Sequence, residues 1–219
     1  MSKAKAFFYR FRGYILGVLA IILFLMPAFP LPSSSLPASG LSASELASQL
    51  PASGLSASFV LCFLAILFYL FGVALRISAR RHIGEHTRGK AHEAETLVTS
   101  GPYSRIRHPL YVSNFLIACG VVVLHLGASP WVFLFVFLVG AFEVALSRME
   151  DSFLEARFGE EWRNWAKVTP AFIARLPVSP KTNASNPEKR SIWRAFVADS
   201  STWAWLLVVN FLLFLLKIF

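Results

Sequence analysis

Leu110–Ser147 reads LYVSNFLIACGVVVLHLGASPWVFLFVFLVGAFEVALS: two apolar runs parted only by Gly127–Pro130. Each run reaches the length at which a helix crosses a bilayer, roughly 17–25 residues. So short a connection makes the pair an antiparallel helical hairpin. Outward from it, similar stretches occur at Tyr14–Leu31, Phe59–Ile77 and Thr202–Phe219. The composition agrees, since 56% of the 219 residues are hydrophobic, only 15% are charged and 21 are phenylalanine. A mean hydropathy of +0.58 is more than one soluble core can absorb, and it excludes a disordered chain. The sequence therefore predicts an all-α integral membrane protein with about five transmembrane helices in a single membrane domain, residues 1–219. Cys62 and Cys119 both lie in apolar runs, which argues against a disulfide framework.

The positive charges set an expected orientation. All but one of the 21 Lys and Arg residues fall at the N-terminus, in Arg76–His108 or in Arg148–Arg194, and the remaining one is Lys217 near the C-terminus. The segments 32–58 and Gly127–Pro130 carry none. Five spans with the N-terminus inside put all three basic groups on the cytoplasmic face, as the positive-inside rule requires. In this setting the net charge of +9 reads as membrane topology, and no nucleic-acid partner is expected. A cleaved signal peptide is the rival reading of the N-terminus, but its apolar run exceeds the 7–15 residues usual for a signal core. Residues 32–58 form a low-complexity loop, expected outside, in which LPASGLSAS at Leu36–Ser44 recurs at Leu50–Ser58. Two copies with few large apolar residues are a local duplication rather than a solenoid. Asn183-Ala-Ser185 fits a glycosylation acceptor that the expected topology leaves unused.

Polar residues with chemical potential gather on the face expected to be cytoplasmic. In LVTSGPYSRIRHPLY, Leu97–Tyr111, the turn signals Gly101-Pro102 and Pro109 exclude a continuous helix and flank Tyr103, Arg105, Arg107 and His108. Non-helical backbone at a membrane boundary is tolerated where it lines a cavity or is buried in protein. A basic turn resting on lipid phosphates is the plainer alternative. The second cluster, Glu143, Ser147, Glu150 and Leu154, follows spacings of four, three and four and shares a helical face. An acidic group inside an apolar span usually faces a cavity or a partner. The helix is expected to continue as Asp151–Trp165 with an aromatic stripe that reads as packing, and Arg148 to pair with Asp151 or Glu155.

Leu97–Tyr111 resembles the signature of the isoprenylcysteine carboxyl methyltransferases and the wider phospholipid methyltransferase family. Glu150-Asp-Ser-Phe-Leu-Glu-Ala-Arg-Phe-Gly159, with Trp162, Trp165 and Thr169-Pro170 beyond it, resembles that family's second block. The signature region runs over residues 96–177, and Thr202–Phe219 is an extra C-terminal span outside it. The resemblance implies transfer of a methyl group from S-adenosylmethionine, leaving S-adenosylhomocysteine, to a lipid or isoprenoid-like carboxylate or amine that enters from the bilayer. It implies cofactor contacts at Glu95, Thr96, Leu97, Val98, Tyr103, His108, Pro109, Leu110, Tyr111 and Glu150. Chemistry suits those roles, because a carboxylate accepts from an ammonium or ribose and a tyrosine face suits a cation or purine. His108 is open between bonding the cofactor and fixing the turn. Glu143 is the candidate base for an acceptor that must lose a proton, and Arg148 the candidate for neutralising an acidic one. The family pattern is broken at Leu146, where eukaryotic members carry arginine, and at Ala171, where many relatives do. Both changes argue against a prenylcysteine carboxylate as acceptor.

Two other classes compete. His82-Ile-Gly-Glu85-His86 fits the inverted zinc-protease pattern, yet Gly84 inside it weakens the helix that pattern needs, so no metal site is expected. A non-enzymatic membrane scaffold would bind no cofactor and tolerate loss of Glu150.

Overall fold

A computed structural model describes residues 22–23, 57–83, 96–174 and 190–218. Its elements, in order, are α1 (Ala57–Arg80), a 3₁₀ turn (Gly101–Ser104), α2 (Pro109–Leu126), α3 (Trp131–Phe158), α4 (Glu160–Val168), α5 (Ile192–Ala198) and α6 (Ser200–Ile218). The described residues are helical or irregular, as an all-α membrane fold requires. The three helices α1, α2 and α3 are long and apolar enough to cross a membrane, and α5 with α6, bent by 61°, qualifies as a broken fourth span. The expected span Tyr14–Leu31 lies outside the described residues except for helical Ile22 and Leu23. The count of five is therefore not reached among the described residues. The repeat-bearing loop, apart from its last residues at the start of α1, and Asn183 also lie outside them.

α1 is built inside out relative to a soluble helix. Its large side chains Phe59, Phe63, Ile66, Leu70 and Phe71 are exposed, while Ala65 and Ala79 are buried. Lipid is as apolar as leucine, so burial of large side chains gives little drive for helices to associate, and small residues that let backbones approach do more. Gly72 and Gly120 make that approach possible. A Cβ on Gly72 would come 2.7 Å from Ile117 Cγ1, and one on Gly120 would come 2.9 Å from the Tyr69 ring.

α2 is the central helix, packed against both α1 and α3. Proline at its first position needs no amide partner there. It ends at Gly127, whose positive φ of 59° and amide bond to the Val123 carbonyl close the helix in the manner typical of glycine caps. Around its far half Val121, Val122 and Leu126 pack with Leu23, Phe135 and Leu213. The Tyr69 hydroxyl donates to Asn210 Oδ1 at 2.8 Å, a polar tie from α1 to α6 within this apolar layer.

α3 has 28 residues, about 42 Å at 1.5 Å per residue, against roughly 30 Å of hydrocarbon. Its final turns therefore project beyond the bilayer core. The aromatic stretch expected to continue this helix to Trp165 is broken instead at Gly159, where φ is 54°. The chain turns there and starts α4, with Glu160 and Glu161 in its first turn and Lys167 in its last, each sign matched to the helix dipole.

Candidate active site

The 3₁₀ turn is held from both sides. Gly101 has a φ of 61° and lies against the His82 ring, which a Cβ would meet at 2.4 Å. Both the left-handed backbone and the close approach demand glycine. Inside the turn the Ser104 hydroxyl donates to the Gly101 carbonyl at 2.7 Å, and the Ile106 amide donates to Pro102 at 3.0 Å. The next two amides leave the turn: Arg107 donates to the Pro170 carbonyl at 2.8 Å and His108 to that of Ala171 at 3.2 Å. The segment after α4 is thereby strapped across the start of α2. Leu97 is buried against Trp162 and Trp165, with Tyr103, Leu154 and Phe158 around them. The Trp165 indole N–H donates to the Tyr103 carbonyl at 3.2 Å. Two separated pieces of sequence thus form one corner against the projecting end of α3.

The acidic pair on that end divides its work. Asp151 is fully committed, with Oδ1 accepting from His108 Nε2 at 3.0 Å and Oδ2 paired with Arg107 at 3.2 Å. Glu150 is not: its side chain is 39% exposed, its oxygen stands 4.0 Å from His108 Nδ1, and no described residue hydrogen-bonds it. Since Nε2 donates to Asp151, His108 acts first as a brace between the turn and α3, with Tyr111 edge-on and Phe172 tilted against its ring. Burial above all, and then the charge of Glu150, push the Tyr103 phenol above its usual pKa, while Arg80 and Arg76 pull it down. Tyr103 is therefore a neutral hydrogen-bond donor throughout the physiological range.

This corner also holds polar atoms with nothing to bond. Thr99 Oγ1, Ser100 Oγ, Arg107 Nε, Trp162 Nε1 and Thr169 Oγ1 are buried without a hydrogen-bond partner. Native interiors leave few such groups, and a cluster of them calls for a ligand or water. Hydroxyls, an indole N–H, a neutral phenol and an open carboxylate fit a molecule bearing a sugar, a purine and an ammonium group. A separate cleft of about 370 Å³ beside the α5–α6 bend is lined by Arg190, Trp193, Arg194, Val197 and Ala198, none of them from the corner.

Residues 60–161 match the phospholipid methyltransferase family. The match takes in the turn segment, α2, α3 and the first two residues of α4, so the resemblance carried by the two sequence blocks is upheld. Among similar proteins, the cobalt-zinc-cadmium resistance protein CzcN of Cupriavidus metallidurans is 40% identical over 111 residues, 49% of this chain and 48% of that protein. The nickel-cobalt-cadmium resistance protein NccN of Alcaligenes xylosoxydans xylosoxydans is 37% identical over 111 residues, 49% of this chain and 48% of that protein. The protein-S-isoprenylcysteine O-methyltransferase of Schizosaccharomyces pombe is 31% identical over 117 residues, 52% of this chain and 49% of that protein. The chain spans about half the length of the curated relatives it matches. No solved structure matches it.

Of the family positions carried onto this sequence, Thr96, Leu97, Val98, Tyr103, His108, Pro109, Leu110 and Tyr111 lie on the turn segment and the first turn of α2; among them His108 comes to 4.0 Å from Glu150 and Leu97 packs near Leu154 of α3. Glu95 lies outside the described residues. Glu143 is buried at 3% exposure, about 10 Å along α3 from Glu150 at 1.5 Å per residue. It is near enough to Arg76 of α1 for their charges to interact. Arg148 is exposed, off the face that buries Glu143, Leu146 and Ser147. Its expected partners are taken, Asp151 by Arg107 and His108 and Glu155 by Arg163, so the ion pair expected for Arg148 is corrected. His82 Nδ1 donates to the Ser78 carbonyl at 2.9 Å and its ring packs on Gly101, while Glu85 and His86 lie outside the described residues.

Sequence reasoning passed over a second polar centre. α1 continues three residues past the expected end at Ile77, which makes Arg76 and Arg80 helical and puts them on one face. Both Nε atoms donate at 2.9 Å to Oδ2 of Asp199, the residue at the α5–α6 bend. Arg76 also donates to Asn114 of α2 and, at 3.1 Å, to Thr202 of α6. The local signal goes no further than a helix start, since Asp199-Ser-Ser-Thr202 opens an apolar run.

Proposed function

We propose that the chain transfers a methyl group from S-adenosylmethionine to a lipidic acceptor held in the membrane. The observation that carries this reading is the convergence of Tyr103, His108 and Glu150 around a cluster of buried polar atoms lacking partners. The family match and the named activity of the fission-yeast relative support it. When bound, the cofactor supplies an electrophilic methyl carbon: an acceptor lone pair forms the new bond while the carbon–sulfur pair goes to sulfur, leaving S-adenosylhomocysteine.

The chain's own residues hold and align. Glu150 accepts from the cofactor's ammonium or ribose, charge-assisted contacts roughly twice as strong as neutral ones. Tyr103 donates as a neutral phenol and offers its ring to the purine or the cation. Thr96–Val98 and the first turn of α2, Pro109–Tyr111, form the walls. His108, clamped by Asp151, keeps the turn at a fixed distance from α3. Glu143, buried in the bilayer half of α3, is positioned to take a proton where the acceptor has one to lose. With little bond-making asked of the protein, orientation in a dry site is the main catalytic resource.

The test is transfer of labelled methyl from the cofactor to a total lipid extract by the purified chain, followed by identification of the labelled species. Label in a lipid product that is absent with Glu150→Gln supports the reading. No transfer to any lipid, together with no affinity for S-adenosylhomocysteine, returns the chain to the scaffold class.

A further inference from the structure

The arginine pair at the end of α1 is unequally used. Arg76 is spent: its Nε, NH1 and NH2 donate to Asp199, Asn114 and Thr202. Arg80 sits one turn closer to the membrane boundary and uses only its Nε, on the same Asp199 oxygen. Its two terminal NH₂ groups have no partner among the described residues, and the side chain is only 16% exposed. A guanidinium held by one edge with its other edge open is a fork shaped for a carboxylate or phosphate. The Tyr103 phenol lies within reach of the charges of both Arg80 and Glu150, so the corner has an acidic side and a basic side.

We infer that Arg80, oriented by Asp199, is a specificity residue that selects an acceptor carrying an anionic group, a carboxylate or phosphate, on its lipidic tail. The inference rests on the methyl-transfer reading for the word acceptor, but the anion preference stands on the arginine geometry alone. Asp199 lies beyond the family match, which ends at residue 161. The extra C-terminal helix pair then has a function beyond anchoring, since it fixes the direction in which Arg80 points. Glu150 engages the positively charged donor, and Arg80 engages the negatively charged acceptor.

Equilibrium binding to the full chain in neutral detergent tests this. The probes are a long-chain fatty acid, the alkyl phosphate and the primary amine of equal chain length, each with and without saturating S-adenosylhomocysteine. Acetate and inorganic phosphate serve as tail-less controls. The acid or the phosphate should bind at least ten-fold more tightly than the amine and than its tail-less control. Which of the two wins names the headgroup. Arg80→Gln should remove the preference, Arg80→Lys should keep part of it, and Asp199→Asn should weaken it with Arg80 intact. S-adenosylhomocysteine affinity should stay within two-fold in Arg80→Gln. Equal binding of acid and amine, a preference unchanged in Arg80→Gln, or binding no tighter than the tail-less ion overturns the inference. A ten-fold loss of S-adenosylhomocysteine affinity in Arg80→Gln also overturns it, because the fork would then hold the donor. Absence of S-adenosylhomocysteine binding to the native chain removes the methyl-transfer reading instead, while the acid–amine comparison still reads the arginine.

Discussion

Two polar clusters meet at this end of the bundle, and they are built to opposite standards. Around Asp199, Arg76 finds a partner for every terminal nitrogen, drawn from α2, α6 and the bend between α5 and α6. Around Tyr103, a carboxylate stands open and several buried donors and hydroxyls have no partner. A satisfied network holds helices together, whereas an unsatisfied one costs stability until something fills it. The difference separates architecture from site more sharply than residue type does, since both clusters contain arginine and acid.

The largest effect that would break this contrast belongs to the Asp199 cluster, satisfied among the described residues save for the outer edge of Arg80. Asp199→Ala leaves two guanidiniums facing each other with their shared carboxylate gone, and should cost about 3–5 kcal/mol, the usual result of orphaning a buried charge. Thermal unfolding in detergent would register it, and a change below 1 kcal/mol on the same scale would mean the cluster is not structural. Next comes Asp151→Asn, which weakens the bonds to His108 and Arg107. A loss of about 1.5–3 kcal/mol is expected from hydrogen bonds to charged groups, together with weaker S-adenosylhomocysteine binding as the turn loosens from α3. Glu150→Gln, one residue away, should instead change stability by less than about 0.5 kcal/mol. Its effect falls on the ligand, so neighbouring substitutions separate brace from binder.

A smaller effect is readable by pH. The Tyr103 phenol has its pKa raised, by burial first and by Glu150 second, so the folded state keeps that proton longer than the unfolded chain does. Its contribution is fully present below about pH 10, the ordinary phenol value, and is lost as pH rises through the higher folded value. Tyr103→Phe should flatten the alkaline limb of a stability–pH curve, and an unchanged limb would contradict the assignment. At the other extreme, Arg163 pairs with Glu155 on the open surface of α4, and Arg163→Ala should leave the melting temperature unmoved.

Much of the bundle was legible because lipid leaves a blunt mark: α2 and the start of α3 follow directly from uninterrupted apolar residues. Gly101-Pro102 and Pro109 located the turn, and the spacing of Glu143 and Ser147 gave a buried stripe on α3 that opens at Glu150. Gly159 was harder, because a lone glycine inside an amphipathic pattern reads equally as a weak helix position or a stop. The turn it makes leads into α4, whose Trp162 and Trp165 pack on Leu97, a contact between distant segments. Asp199 was illegible for a related reason. Its meaning depends on Arg76 and Arg80, more than a hundred residues earlier, and nothing local distinguishes it from an ordinary helix start. Arg148 shows the converse, for its neighbours in sequence suggested an ion pair that tertiary partners had already claimed.

The account rests on the open corner being a cofactor site, and equilibrium binding of S-adenosylhomocysteine to the full chain in lipid nanodiscs tests that most directly. Saturable binding to the native chain, weakened at least ten-fold in Glu150→Gln (about 1.4 kcal/mol) with unfolding unchanged, is the predicted result. No binding to the native chain, or equal binding to both proteins, would contradict it.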